Sequence, residues 1–383
     1  MDRRRLVVNE GLQERGDSVG GGAKSAADEA GAGVSGRFWL GFMCVFFVML
    51  HSGYFGGFTS PVFSADCGAS SPHGGLGSSS GSGGGTDEVP CPDCLNCELG
   101  LSVQIQGMIS AAPSLLGIPA SLLGGALVDF LGRRKALALG SIGITCGWVL
   151  FFFIPKPDGA EKHDLENGSV WQQATTNTGL CLLGGRATSA IFSNLQVIAG
   201  TVWISEGAPA SIRGALMTCI SFGWNFGALS IYGLGDIFLW RNLSIGGGII
   251  GCACLVASAF VVESPRWLAS HFGIAEAEKS LRALRPPHTR LEGTLAEIQD
   301  NAETAARKVA AVSAGSKAEA EPPKCVPIML AAILMGSIPL SGVFVVFNFA
   351  GGEPALPLSP QAVCRAYCVF SLCLLCSHVS LTI

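Results

Sequence analysis

The sequence predicts an all-α integral membrane protein, and three observations carry this prediction. Hydrophobic residues make up 49% of the 383 residues, charged residues only 14%, and the mean hydropathy is +0.46. The hydrophobic residues are gathered in runs long enough to cross a bilayer as helices. Between two of these runs, residues 125–135 place one aspartate and three consecutive bases in a turn that is too short to be a domain. A net charge of −4 without a basic stripe argues against a nucleic-acid-binding protein.

The chain divides into four predicted segments. Residues 1–37 are polar and rich in glycine and alanine, which is typical of a disordered tail. Residues 38–262 contain six apolar spans, with a long glycine- and serine-rich loop at 64–102. Residues 263–325 form a polar linker with predicted short helices, whereas residues 326–383 contain two more apolar runs. The first six spans are predicted at about 38–63, 103–128, 136–155, 179–203, 214–235 and 243–262.

The distribution of positive charge predicts which ends of the spans face the cytoplasm. Nineteen lysines and arginines fall in the N-terminal tail, the 125–135 turn, residues 204–213 and the linker, against four in the opposite loops. Because cytoplasmic loops are enriched in lysine and arginine, the N-terminus, the turn and the linker are predicted to be cytoplasmic. The 64–102 loop is then outside, where disulfides are favoured over a zinc site. The loop cysteines are Cys67, Cys91, Cys94 and Cys97.

Arg186 lies inside the fourth predicted span. A charged residue at membrane depth is costly. Arg186 is therefore expected either to act in the function of the protein or to be paired in the interior of the bundle.

The turn between the second and third spans is the most specific feature of the sequence. An ordinary positive-inside loop would explain Arg133 and Arg134. It would not explain Gly125, Asp129 and Gly132 at this spacing. The pattern resembles the G-x-x-x-D-x-x-G-R-R/K motif between the second and third helices of major facilitator superfamily transporters.

Three further motifs resemble the sugar porter branch of that superfamily. Gly185 and Arg186, followed by Glu206 and Arg213, resemble its pattern through the fourth span. Residues 263–268 read E-S-P-R-W-L and resemble the P-E-S-P-R-W-L that follows the sixth span. Residues 58–61 read F-T-S-P and resemble the first-span motif of facilitative glucose and trehalose transporters. Together the motifs cover residues 38 to about 349.

The resemblance implies a major facilitator helical bundle, with a complete six-helix N-terminal half and two helices of the second half. It implies transport of a hexose or small saccharide by facilitated diffusion through alternating access, without a cofactor, a metal or catalytic residues. Phe55 stands where proton-coupled sugar porters have an aspartate, which disfavours proton coupling, although the titratable His51 is about one turn away. The implied substrate-binding residues are Phe58, Thr59, Ser221, Asn225 and Ser341.

The resemblance also implies a cytoplasmic gate, whose residues are Gly125, Asp129, Gly132, Arg133, Arg134, Glu206, Arg213, Glu263 and Arg266. Carboxylates and guanidiniums at the ends of spans can form charge-assisted hydrogen bonds that hold the helices together. If these bonds form only when the inner side is shut, they bias a two-state rocking equilibrium. We hypothesise coupling within this set, including between Glu206 and Arg213. The alternative is a static ring of interfacial charges that only fixes topology.

The main alternative function is a truncated, non-transporting membrane protein that regulates or decoys a full-length transporter chain. The eighth apolar run reaches Ile383, so we expect residues 1–383 by themselves not to catalyse saturable sugar uptake. A seven- or eight-helix receptor would not explain Asp129, Glu206 and Glu263. An enzyme is disfavoured because no catalytic constellation lies within the predicted spans. The expected partners are a sugar and the lipid bilayer, and the expected location is the plasma membrane.

Asn167 begins an N-glycosylation acceptor sequence in the second outside loop, at 156–177. We predict that Asn167 is glycosylated when the chain passes through the secretory pathway, whereas Asn242 stays bare because it lies close to the membrane. Glycosidase treatment should shift the mobility of the wild-type chain but not of an Asn167→Gln variant. A wild-type chain without a shift, in cells that modify a control glycoprotein, would contradict the predicted orientation.

Overall fold

A computed structural model describes residues 33–59, 99, 101, 103–155, 157–158, 161, 163–165, 168–235 and 237–313. Several predicted features lie outside these residues. They are the tail up to residue 32, the cysteine-rich part of the long loop, Asn167, Ser341 and the two runs at 326–383.

The described part of the chain is folded into helices. In chain order they are α1 (Gly36–Gly57), α2 (Val103–Leu131), α3 (Arg133–Phe152), α4 (Val170–Thr175), α5 (Asn177–Gly207), α6 (Ala210–Gly235), α7 (Trp240–Ser258), α8 (Pro265–Phe272), α9 (Ile274–Leu284) and α10 (Glu292–Ser313). Six of these helices, α1 to α3 and α5 to α7, occur where the six spans are predicted. Five of them are long and apolar enough to cross a membrane. The sixth, α2, is bent by 44° between residues 104–117 and 119–131.

Local chemistry accounts for the helix boundaries. Ser35, Thr176 and Ser264 accept a hydrogen bond through their side chains from the first turns of α1, α5 and α8. Such caps satisfy backbone amides that a helix leaves unpaired at its start. The bend of α2 coincides with Pro119, which removes a backbone donor and clashes with the preceding turn.

Small residues allow the spans to pack closely. A Cβ atom added to Gly53 of α1 would lie 1.8 Å from the carbonyl oxygen of Trp224, and one added to Gly227 of α6 would lie 1.9 Å from that of Leu50. The pairing of α3 with α5 is similar, since a Cβ on Gly147 would lie 1.9 Å from Ser189 Oγ. In a membrane the apolar faces of helices gain little from leaving lipid, so close backbone approach supplies much of the attraction.

Two apolar clusters fill the interior of the bundle. One surrounds Trp148, with Tyr54 and Phe58 among its members. The other contains Phe38, Trp203 and Leu284, and it lies at the end of the bundle where α1 begins and α5 ends. Leu284 belongs to the linker, so this second cluster attaches the linker to the membrane helices.

The linker is more regular than its composition indicates. A short amphipathic helix is predicted at 275–284, and α9 occupies that position. For the Ala/Glu/Lys-rich tract that follows, the sequence left open whether it is helical or irregular. In the structure it forms α10, which extends through Ser313.

Candidate functional site

The end of the bundle where α1 and α3 begin and where α2, α5 and α7 end carries most of the predicted gate residues. We call it the charged end. Glu263, which lies between α7 and α8, is its central residue. Its carboxylate accepts hydrogen bonds from the backbone N–H groups of Arg133 at 2.8 Å, Arg134 at 3.3 Å and Ser264 at 3.1 Å. The carboxylate thus caps the N-terminus of α3, although it is 130 residues away in the chain.

The geometry of Gly132 explains why this cap comes from another element. Gly132 occupies the N-cap position of α3 with φ at +87°, and it has no side chain that could accept a hydrogen bond. A Cβ atom on Gly132 would also lie 2.7 Å from Glu263 Oε2. The left-handed backbone and the close carboxylate both favour glycine here. The helix dipole further favours a negative charge at the N-terminus of α3.

The Arg133 side chain ties three helices together. Its Nε and Nη2 atoms donate to the two carboxylate oxygens of Glu206, each at 2.8 Å, and Nη2 lies 3.0 Å from Asp129. The Arg133 side chain is 7% exposed and that of Glu206 16%, whereas that of Asp129 is 73% exposed. A bidentate, largely buried pair is strongly directional, while an exposed pair contributes little. The contact between α3 and α5 is therefore the stronger of the two.

Two tryptophans that sequence reasoning did not single out for the gate complete the charged end. Trp267 of α8 donates its indole N–H to the Asp129 carbonyl at 2.6 Å. Trp203 of α5 donates to the Val262 carbonyl at 2.7 Å and stacks on Phe38 at 5.6 Å between ring centroids. Each indole satisfies a carbonyl near the end of a span. The available signal in the sequence was an aromatic residue with one polar atom at the edge of an apolar run.

The side chains of the three remaining predicted gate arginines contact groups other than Glu206. Arg134 donates to the Ala259 carbonyl at 2.7 Å, and Arg213 donates to the Ala208 carbonyl at 3.0 Å. Arg266 pairs with Glu297 of α10 at 3.2 Å in an exposed position. In this structure the partner of Glu206 is Arg133, so the hypothesised pairing of Glu206 with Arg213 is replaced by a contact of Arg213 with the end of α5.

Gly125 does not take part in a close helix contact among the described residues. A Cβ atom added to it would meet no atom of the described chain within 4 Å. The expectation that Gly125 lets helices approach therefore has no support from this part of the structure.

Arg186 lies in the interior of the bundle, in agreement with the second of the two expectations given for it. The residue is 1% exposed, donates to the Phe55 carbonyl at 3.0 Å, and lies 4.3 Å above the centroid of the Phe55 ring. Within the part of the chain that the structure describes, it forms no salt bridge. A carbonyl oxygen and an aromatic face are both favourable partners for a guanidinium, and they tie α5 to the last turn of α1.

The residues implied to bind substrate lie in two environments. Phe58 and Thr59 are buried, and Phe58 packs on Trp148 at 5.0 Å between ring centroids. Ser221 and Asn225 lie one turn apart on α6, where each hydrogen-bonds to a carbonyl of its own helix; Ser221 is exposed and Asn225 is half-buried. The α6 pair is thus at least partly accessible in this structure, whereas the Phe58 side chain belongs to the core.

His51 is held in a single hydrogen-bonding role. It is fully buried, and its Nε2 atom accepts the indole N–H of Trp148 at 3.1 Å. An indole nitrogen can only donate, so His51 Nε2 must carry a lone pair. This contact requires a neutral imidazole with its proton on Nδ1.

The chain belongs to the sugar (and other) transporter family, whose model matches residues 40–352. It is 30% identical to the sugar transporter ERD6-like 15 of Arabidopsis thaliana, across 56% of this chain and 40% of that protein. It is 29% identical to the human solute carrier family 2, facilitated glucose transporter member 6, across 57% of this chain and 38% of that protein. It is 24% identical to the facilitated trehalose transporter Tret1 of Bombyx mori, across 53% and 36%. The matched region thus spans less than half the length of these relatives.

Solved structures show the same fold. The major facilitator superfamily proton:xylose symporter XylE, bound to 6-bromo-6-deoxy-D-glucose, aligns with a TM-score of 0.60 at 19% identity, covering 90% of this chain and 68% of that chain. A partially occluded inward-open form of XylE from E. coli aligns with a TM-score of 0.53 at 18% identity, covering 88% and 71%. The predicted fold class is confirmed, and the chain is a multi-pass membrane protein. Because the family consists of transporters, the expectation that the chain is not an enzyme is confirmed as well.

The Arg133–Glu206 pair can be tested with a double-mutant cycle. Arg133→Gln and Glu206→Gln should each lower the free energy of unfolding in detergent, and the double variant should lose less than the sum. The expected coupling energy is about 0.5–3 kcal/mol, because both changes remove the same buried pair. The readout is chemical denaturation of the purified variants.

The matched control is the cycle of Glu206→Gln with Arg213→Gln, for which the structure predicts a smaller coupling energy. Strict additivity in the Arg133 cycle, or a larger coupling in the Arg213 cycle, would contradict the pairing described above.

Proposed function

We propose that the protein moves a sugar, a hexose or small saccharide, across a membrane by facilitated diffusion through alternating access. Membership of the sugar transporter family supports this proposal. Two of the relatives are named as a facilitated glucose transporter and a facilitated trehalose transporter, which also supports it. The observation that supports the mechanism most directly is the charged end, where Arg133, Glu206 and Glu263 join α3, α5 and the exit of α7.

In this proposal the charged end acts as the cytoplasmic gate. Its contacts are short and directional, so they are lost when the helix ends separate by a few ångström. Glu263 and Trp267 also connect the linker to the α2–α3 turn. A movement transmitted along the linker would therefore act on the helices through these two residues. Contacts that exist in one state and not in the other bias the equilibrium between the states.

Two contacts favour facilitated diffusion over proton coupling. Arg186 faces the carbonyl and the ring of Phe55, and it meets no carboxylate among the described residues. His51 accepts a hydrogen bond from Trp148, a role that a protonated imidazole cannot fill. A proton carrier needs a titratable group that can change its charge in the path, and neither residue is arranged for that.

We assign recognition of the sugar to polar groups on the exposed face of α6. Ser221 is exposed and Asn225, one turn away, is half-buried, and a hydroxyl-rich ligand is selected by hydroxyl and amide partners. Phe58 and Thr59 would support the same path from the end of α1, and Ser341 would contribute from the second half. The distribution of lysine and arginine supports placing the N-terminus and the charged end in the cytoplasm. The plasma membrane is proposed as the membrane that the chain spans.

The test is uptake of radiolabelled glucose, xylose and trehalose into proteoliposomes. Because the matched region spans less than half of the relatives' length, one arm contains the 383-residue chain and the other also contains the C-terminal half of a relative as a second polypeptide. Saturable, competable uptake of at least one saccharide is expected in the arm that contains both polypeptides, whereas the 383-residue chain by itself is expected to give none. Collapse of the pH gradient with a protonophore should leave the initial rate unchanged.

Ser221→Ala and Asn225→Ala should each raise KM. The matched control is Ser230→Ala, which removes a hydroxyl from the same helix and should leave KM unchanged. Uptake that stops when the proton gradient is collapsed would contradict facilitated diffusion. Absence of saturable uptake for every saccharide in both arms would contradict sugar transport.

A further inference from the structure

The C-terminal end of α9 contacts the start of the first membrane helix. The backbone N–H of Ser35 donates to the Leu284 carbonyl at 3.1 Å, and its hydroxyl donates to the Ala283 carbonyl at 2.6 Å. The same hydroxyl accepts from the Phe38 amide at 3.2 Å as the N-cap of α1. Ser35 therefore satisfies backbone groups at the end of α9 and at the start of α1.

The residue after α9 reaches the end of α5. Arg285 is 4% exposed, and its Nη1 atom donates to the Gly207 carbonyl at 2.9 Å. Gly207 is the last residue of α5, directly after Glu206. Arg213 reaches the next carbonyl, that of Ala208, from the start of α6. The last carbonyls of a helix have no partner within it and carry the negative end of its dipole, so two guanidiniums are well suited to them.

A third contact joins α9 to the exit of α7. The Ser280 hydroxyl donates to the Glu263 carbonyl at 2.5 Å, while the Glu263 side chain caps α3. The apolar face of α9 adds to these polar contacts, because Ala277, Leu281 and Leu284 are buried. This one short helix thus contacts the start of α1, the end of α5 and the residue that caps α3.

We propose that Arg285 is a positioning residue of the charged end: it fixes the last turn of α5 and thereby holds Glu206 opposite Arg133. The seating of α9 on the bundle and the Arg133–Glu206 contact then form and break together. This inference deepens the gate in the proposed function, but it concerns a contact that can be measured without transport.

The geometry accounts for an arginine rather than another polar residue at this position. The Gly207 carbonyl is buried at the junction of α5 with the linker, and a guanidinium can reach it while keeping further N–H groups for other acceptors. Exposed bases of the linker make a different kind of contact. Arg282, one turn earlier, pairs with Glu278 on its own helix and has a side chain that is 64% exposed.

The experiment is amide hydrogen exchange, read by mass spectrometry on the full chain in detergent micelles. In Arg285→Gln, peptides covering the end of α5 (about residues 200–210) and the start of α3 (about residues 130–138) should exchange at least about tenfold faster than in wild type. Peptides from the middle of α7 should be unchanged. The matched control, Arg282→Gln, should leave all of these peptides within about twofold of wild type, because an exposed pair on one helix contributes little.

Two further variants separate positioning from general damage. Arg285→Lys retains a cationic donor and should restore most of the protection at the end of α5. Ser35→Ala removes one hydroxyl from the same seat, and it should give the same local pattern with a smaller change, which keeps the proposal testable if Arg285→Gln does not fold.

Three results would overturn the proposal. One is unchanged exchange at the end of α5 in Arg285→Gln and Ser35→Ala. Another is faster exchange at the end of α5 without any change at the start of α3, which would break the link to Arg133. The third is a uniform increase in the exchange rate over all helices, which is expected if Arg285 has only a general structural role. None of these results depends on sugar uptake, so failure of this proposal and failure of the transport proposal are distinguishable.

Discussion

The structure depends on the need to satisfy backbone groups at the ends of helices that pack side by side in a membrane. Every helix leaves amides unpaired at its start and carbonyls unpaired at its end, and near a bilayer water is a limited substitute. At the charged end, charged side chains from other parts of the chain fill this need. The Glu263 carboxylate serves the start of α3, and the Arg213 and Arg285 guanidiniums serve the end of α5. The signs of these charges match the helix dipoles.

This way of ending helices couples elements that are distant in the chain. A cap from within a helix would stabilise that helix only, whereas Glu263 stabilises α3 only while α7 and the linker are in place. The glycine contacts of α1 with α6 and of α3 with α5 hold the rest of the half together through backbone approach. Rigid packing in the interior and breakable polar contacts at one end are the combination that a rocking mechanism requires.

Much of this arrangement could be predicted from the sequence, because apolar length and motif spacing are local signals. Such signals predict the six spans and the α2–α3 turn. They also predict that Glu263 lies at the end of a span and that Arg186 is buried. The partner of Glu206 could not be predicted, since both Arg133 and Arg213 lie near the same end and only tertiary packing separates them. Arg285 was missed because in sequence it resembles the exposed bases around it. Asn167, Ser341 and the four loop cysteines stay predictions, as they lie outside the described residues.

The central claim is that the Glu263 carboxylate holds the charged end together, and its most direct test compares two neutralised glutamates. Glu263→Gln should lower the free energy of unfolding in detergent by about 1.5–3 kcal/mol, because a charged acceptor of several backbone hydrogen bonds is lost. Glu297→Gln, at an exposed position paired with Arg266, should change it by no more than about 0.5 kcal/mol. Equal effects of the two substitutions, or no effect at Glu263, would contradict the account.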